Sequence, residues 1–440
     1  MTNIALFIGK SISWISKFLH FGAGATWPGE MTLRISPAIL SRLQTRISKG
    51  IIIVAGTNGK TTTSLMIRKI LEDKEYAVLH NQSGANLLNG VVSAFFTDKR
   101  KMFDYAVFEV DENALPSILS YLKTTNHQPR ISIVLLNLFR DQLDRYGEVD
   151  SIADHWKQTL QNLGSDTTVI INADDPQLAF IGASIKKNIL YFGLDNKTYY
   201  VENIQHATDS TYCPSCSEKL IYKGVYYSHL GDWDCPKCPF THPILNQTSK
   251  EIDSPLEGVY NLYNTVAATA LAKQLGISSQ DITASIKGFL PAFGRMEEII
   301  YKGKQIKILL SKNPTGFNES LRTMRASPQH GPMLLLLNDR IPDGTDVSWI
   351  WDVDFEVLAH DEYKIIVSGD RALDMALRLK YGGLSYEVEN KHARMIIEEN
   401  IQKAVDRFVE TIGDKETGWV LATYSAMLDV RKILTGRKIL

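Results

Sequence analysis

The chain has 440 residues, enough for two or three domains with ample core. Its 44% hydrophobic and 22% charged residues suit a soluble globular protein, and a net charge of −1 argues against a large nucleic-acid footprint. No window is apolar and long enough for a membrane span, and the N-terminus lacks the small-residue cleavage site of a secretory signal.

Residues 1–44 read as an N-terminal segment. Ile4, Leu6, Phe7, Ile8, Ile12, Trp14, Ile15, Phe18 and Leu19 would share a broad helical face. Such a face either packs on its own domain or rests on a membrane surface. From 45 to 297, strand and helix signals alternate, which predicts a parallel sheet flanked by helices. The strand candidates are Ile51–Ala55, Tyr105–Val110, Ile131–Leu136, Val169–Asn172 and Ile189–Phe192. Residues 205–245 interrupt this series as an insertion, after which Gly258 opens an alanine-rich helix to about Leu275. From 298 to 440 a second alternating set predicts a separate doubly wound α/β domain. Its strands are Ile306–Leu310, Met333–Leu337, Lys364–Val367 and Trp419–Ala422, with a long amphipathic helix over Ala393–Val409.

The first strand leads into Gly56-Thr57-Asn58-Gly59-Lys60-Thr61-Thr62, which opens a helix. A strand turning through glycines into a helix N-terminus aims several N–H groups and the helix dipole at one point. Lys60 adds a full charge there, and the Thr61 hydroxyl offers a Mg²⁺ ligand. The stretch is a seat for the phosphates of a nucleoside triphosphate, although Val54 stands where the general phosphate-loop pattern has its first glycine. Tyr105–Val110 ends in acids, and a carboxylate at the end of a neighbouring parallel strand can hold Mg²⁺ against those phosphates. Glu109 is the first candidate, then Asp111 and Glu112.

The four cysteines form two C-x₂-C knuckles, Cys213/Cys216 and Cys235/Cys238, with 18 residues between them. That spacing predicts a structural Zn²⁺ ribbon. Leu220–Tyr222 and Val225–Tyr227 would form its hairpin around Lys223-Gly224. Zinc then takes every thiol, leaving no cysteine for nucleophilic chemistry.

Several motifs occur in a telling order. These are Gly56–Thr62, the strand-end Glu109, the stretch Asn137-x-x-x-Asp141-x-x-Asp144-x-Tyr146-Gly147, the pair Asn261 and Asn264, and Gly294-Arg295-Met296-Glu297. Over residues 50–300, less the insertion, the chain resembles the Mur ligases, which join amino acids to cell-wall precursors through acyl phosphates. The zinc insertion and the segments Asn81–Asn86, Lys312–Asn318 and Asp346–Asp352 are similar to the MurT family within them. MurT chains are the synthetase subunits of lipid II isoglutaminyl synthases.

The resemblance implies a Mur ligase-like ATPase domain carrying the ribbon, followed by a Rossmann-like α/β domain. It implies ATP and Mg²⁺, with Asn264 at the adenine and Arg295 at the γ-phosphate. Lys312 would cross from the second domain to the forming acyl phosphate. It also implies a GatD-type glutamine amidotransferase as partner and lipid II as substrate, at the inner face of the membrane. An aspartate of the loop Asp343–Glu356 would orient the partner's catalytic histidine, Asp352 ahead of Asp346 and Asp354; otherwise the loop is an ordinary solvated one. Trp349 and Trp351 are the interface anchors of that reading.

Two features depart from amino-acid-adding Mur ligases. Asp141-Gln142-Leu143-Asp144 replaces D-H-x-D, and the lysine that is carbamylated in those enzymes falls on Trp156, with Lys157 one position out of register. A stand-alone Mur-type or folylpolyglutamate-type ligase and a nucleotide-dependent scaffold are the rival readings.

Overall fold

The computed structural model describes residues 9–13, 26–81, 84–122, 129–141, 149–201, 204, 208–250, 252–290, 295–384 and 394–436. Strands β1 (Ile47–Ala55), β2 (Val78–His80), β3 (Phe103–Val110), β4 (Arg130–Leu135), β5 (Thr168–Asn172) and β6 (Asn188–Phe192) form one sheet. Its order is β2-β3-β1-β4-β5-β6, and every pairing is parallel.

The apolar run of β1 explains its central place. Ile51, Ile53 and Ala55 enter the core on one face of the sheet, and Ile52 and Val54 enter the core on the other. A strand buried on both faces reads as continuous apolar sequence rather than alternation. The chain moves outward from β1 to one side, then resumes with β4 on the other. This reversal opens a crevice at the carboxyl ends of β1 and β4, where parallel sheets bind ligands.

β7 (Ile221–Tyr227) and β8 (Leu230–Asp234) make the antiparallel hairpin of the insertion. The expected turn at Lys223-Gly224 is not there. β7 runs through both residues, and the chain reverses at Ser228-His229, where Ser228 has φ 49°. Gly224 serves contact instead, because a Cβ there would meet the Tyr200 ring at 2.1 Å.

The second sheet contains β9 (Arg295–Tyr301), β10 (Lys304–Leu310), β11 (Met333–Leu336), β12 (Ile365–Ser368), β13 (Met395–Ile397) and β14 (Thr417–Ala422). Its order is β13-β12-β11-β14-β10-β9, parallel except for β9 at the edge. This sheet starts at Arg295, ahead of the residue 298 at which a second set of elements was expected. The long helix expected over Ala393–Val409 divides into β13 and the helix Ile401–Thr411, which Asn400 caps through the Lys403 N–H. An unbroken apolar count hid that cap.

Of the N-terminal segment, residues 9–13 are described, and they are helical. Ser13 Oγ donates to the Phe96 carbonyl at 3.2 Å, so this turn packs on its own domain. The remaining positions of the expected face, Ile12 excepted, lie outside the described residues. Among those described, no helix is long and apolar enough to cross a membrane.

Candidate functional site

The loop Gly56–Gly59 joins β1 to the helix Lys60–Asp73, and the exit of β4 fixes its shape. Asn137 brackets it: the Asn58 N–H donates to Asn137 Oδ1 at 2.8 Å, and the Thr57 N–H to the Asn137 carbonyl at 3.0 Å. Thr57 Oγ1 also accepts from the Phe139 N–H. Two glycines are required. Gly56 and Gly59 have φ of 145° and 87°, and a Cβ on Gly59 would lie 2.1 Å from Asn264 Oδ1. Asn264 is thus seated under the loop, accepting from Thr63 Oγ1 at 3.2 Å, and it lines the adjoining cleft. Thr61 and Thr62 are buried in the first helical turn.

Lys60 Nζ donates to the Thr57 carbonyl at 2.9 Å and to Glu112 Oε2 at 3.1 Å. Burial works against its charge, yet Glu112, Asp111, Glu109 and Asp141 outweigh that and raise its pKa. Glu112 resists burial in turn, and Lys60 with Lys312 holds its carboxyl below the ordinary range. Glu109 is buried at the end of β3, with its backbone clasped by the Asn81 amide at both N–H and carbonyl. It stands beside Val54 in the neighbouring β1. The sequence ranked Glu112 behind Glu109, but Glu112 is the acid that touches Lys60. Strand alternation and rank order could not reveal this, because Glu112 lies past the strand, in the turn before the helix Ala114–Tyr121.

Lys312, just beyond β10 in the second domain, reaches across and pairs with Asp141 of the first. Burial raises the Asp141 pKa, opposed by Lys312 and reinforced by Glu112. Asn313 donates to Asn58 Oδ1 at 3.2 Å from the second domain while its own oxygen caps the helix Pro314–Ala326. Two cations and two anions from four separate segments therefore converge beside the loop. Arg295 lies on β9, with its side chain outside the described atoms, as are Gln142–Gly147 and Gly294.

Trp156, on which the sequence count puts the lysine of amino-acid-adding Mur ligases, has a structural task. It is fully buried, and its indole N–H donates to the Glu112 carbonyl at 2.7 Å, supporting the acid from behind. Lys157 turns elsewhere, its Nζ resting 4.6 Å from the Phe180 ring centroid. Trp156→Ala is expected to lower unfolding free energy by roughly 3–5 kcal/mol; denaturant titration checks it, and a loss under 1 kcal/mol would contradict the packing role.

Cys213, Cys216, Cys235 and Cys238 place their sulfurs within 4.8 Å of one another. The Cys213–Cys238 and Cys216–Cys235 separations are 3.7 and 3.5 Å, close to the ~3.8 Å that tetrahedral Zn–S bonds require. The Lys237 and Cys238 N–H groups point at Cys235 Sγ, as they would to stabilise a thiolate. An all-sulfur donor set of this geometry fits zinc.

The loop Asp343–Glu356 separates its three candidate aspartates, Asp346, Asp352 and Asp354, by task. Asp346 accepts from the Ser348 N–H at 2.8 Å, and Asp354 exchanges hydrogen bonds with Asn318. Asp352 is partly exposed and faces Arg140 at 3.5 Å. Trp349 packs on Phe317, whereas Trp351 is 45% exposed beside Tyr381.

Comparison with known proteins agrees with this geometry. The Mur ligase middle domain family matches residues 54–272, and the MurT ligase C-terminal family matches 310–427. The chain is 32% identical to the lipid II isoglutaminyl synthase (glutamine-hydrolyzing) subunit MurT of Streptococcus pneumoniae, over 100% of this chain and 98% of that one. A pseudomurein peptide ligase type C from Methanothermus fervidus superposes with TM-score 0.66 at 21% identity, over 90% of this chain and 80% of that one. A MurF ligase of Thermotoga maritima, solved in complex with ADP, gives 0.61 at 14% identity, over 92% and 83%. The two structures share the fold, and the sequence match over the full length shows more: the chain belongs to the MurT family of Mur ligase-like, ATP-dependent ligases.

Proposed function

We propose that the chain uses ATP to activate the D-glutamate carboxylate of the lipid II stem peptide and amidates it to D-isoglutamine. The observation that carries this reading is the convergence of Lys60, Glu112, Asp141 and Lys312 beside the phosphate loop, with Lys312 delivered from the second domain.

In the proposed reaction the substrate carboxylate attacks the γ-phosphorus, ADP leaves, and an acyl phosphate forms. Ammonia then attacks the acyl carbon, phosphate departs, and the nitrogen loses a proton to give the amide. Lys60 and the N–H groups of residues 59–61 hold the phosphates, exchanging the Lys60 carbonyl partners for phosphate oxygens. A Mg²⁺ ion on Thr61 and Glu109 would neutralise charge on those oxygens. Lys312 stabilises charge as the acyl phosphate forms, and closure of the two domains shields that intermediate from water. Arg295 is assigned to the γ-phosphate and Asn264 to the adenine side.

This chain's four thiols are gathered in one cluster, which leaves free ammonia or a partner protein as the source, and likeness to the MurT subunits of glutamine-hydrolyzing synthases favours a GatD-type glutaminase. Asp352, facing outward near Trp351, serves that partner's histidine. The domains divide at about residue 44 and just ahead of β9, and the complex works on a lipid-linked substrate at the inner membrane face. With purified chain, lipid II, ATP and glutamine, amidation should require both subunits, and ammonium should replace the partner at least in part. Nucleotide turnover stimulated by a free amino acid, with no amide formed, would identify a stand-alone ligase instead.

A further inference from the structure

We infer that the zinc ribbon is a working wall of the nucleotide cleft, with Tyr227 contacting the bound nucleotide, so that ribbon folding and nucleotide binding reinforce each other. This rests on the cleft being the nucleotide site. Tyr227, at the end of β7, is 2% exposed and lines the cleft together with Gly59 and Asn264 of the first domain and Lys312 and Thr315 of the second. Its ring packs against Phe139 and Tyr263, with centroids 5.8 and 5.6 Å away, which holds it in place at the cleft wall. An aromatic side chain in the wall beside a phosphate loop suits a purine or ribose.

The ribbon is bolted into this place from both domains. Asp174, just past β5, lies 2.8 Å from His242 Nε2, accepts from the Tyr263 hydroxyl, and takes the Gly231 N–H on its carbonyl. Asp175 lies 3.2 Å from His229 at the hairpin turn and accepts from the Leu138 N–H, inside the segment that brackets the phosphate loop. From the second domain, Arg322 donates to the Tyr226 carbonyl at 2.6 Å and to the Tyr199 carbonyl at 3.2 Å. A ribbon serving only as a distant partner surface would need none of these ties to the cleft.

Calorimetry with ADP as probe, on the full chain, tests this. Tyr227→Ala should weaken ADP binding roughly tenfold, or ~1.4 kcal/mol, with zinc content unchanged. Arg322→Ala, a substitution at a partly exposed side chain, should weaken it severalfold while leaving the fold intact. Linkage is reciprocal, so saturating ADP should also slow zinc release to a chelator. Unaltered ADP affinity in Arg322→Ala and in a folded Tyr227→Ala overturns the proposal, as does zinc release indifferent to ADP. An unaltered chain that binds no ADP would instead overturn the assignment of the cleft itself.

Discussion

Lys60→Ala is expected to cut ATP turnover by roughly 10³-fold or more, since a preorganised cation facing developing phosphate charge is worth at least as much as a single oxyanion donor. The structure adds a complication that the motif alone does not disclose. Lys60 compensates the buried Glu112, so its removal also leaves an unpaired anion. Breaking one side of a buried pair costs roughly 3–5 kcal/mol. Low turnover in Lys60→Ala could then reflect unfolding rather than chemistry. The double variant Lys60→Ala/Glu112→Gln separates the two. It should regain much of the thermal stability and none of the turnover. Near-normal turnover in either variant would remove the phosphate-loop premise.

Asp352→Asn is the second large effect. If its carboxylate holds the partner's histidine in the productive tautomer, the amide should depress glutamine hydrolysis by the complex by roughly 10²–10⁴-fold, as loss of the third member of a triad does. Amidation driven by added ammonium should persist, because Asp352 lies outside the phosphate cleft. Asp346→Asn and Asp354→Asn are the controls. Their carboxylates are engaged within their own loop and helix, so hydrolysis should stay within a few-fold of normal. Unchanged hydrolysis in Asp352→Asn would reduce this residue to an ion-pair partner of Arg140.

Legibility in the sequence followed the range of the forces involved. The central strands were visible because burial on both faces leaves an unbroken apolar run, as in Ile51–Ala55. The cysteine cluster was visible because metal geometry imposes local spacing. Short edge strands were harder: β2 has three residues and β13 another three, too few to show a period against an adjoining helix. The hairpin turn was misplaced because Gly224 looks like turn chemistry but yields to the Tyr200 ring. In the site, the phosphate loop announced itself, whereas the roles of Glu112, Asp141 and Tyr227 depend on partners tens to hundreds of residues away. The count put Trp156 at a departure from the amino-acid-adding Mur ligases. Its hydrogen bond to the acid's own backbone had no local signal.

The stretch after β4 assigns a different duty to each successive residue. Asn137 shapes the phosphate loop, Leu138 answers to Asp175 under the ribbon, and Phe139 meets Thr57. Arg140 is held by Asp209 at 2.8 Å and reaches Asp352 at 3.5 Å, and Asp141 takes Lys312. If Asp352 serves the partner as proposed, the ATP-driven half of the reaction and the ammonia-supplying half meet across one peptide bond. Phosphates that re-seat Asp141 would then pull on Arg140, which Asp209 holds through its backbone N–H and its guanidinium, and through Arg140 on Asp352. On that reading, nitrogen release and carboxylate activation would be timed through adjacent residues without a long lever, and glutamine would be spared while the nucleotide seat is vacant.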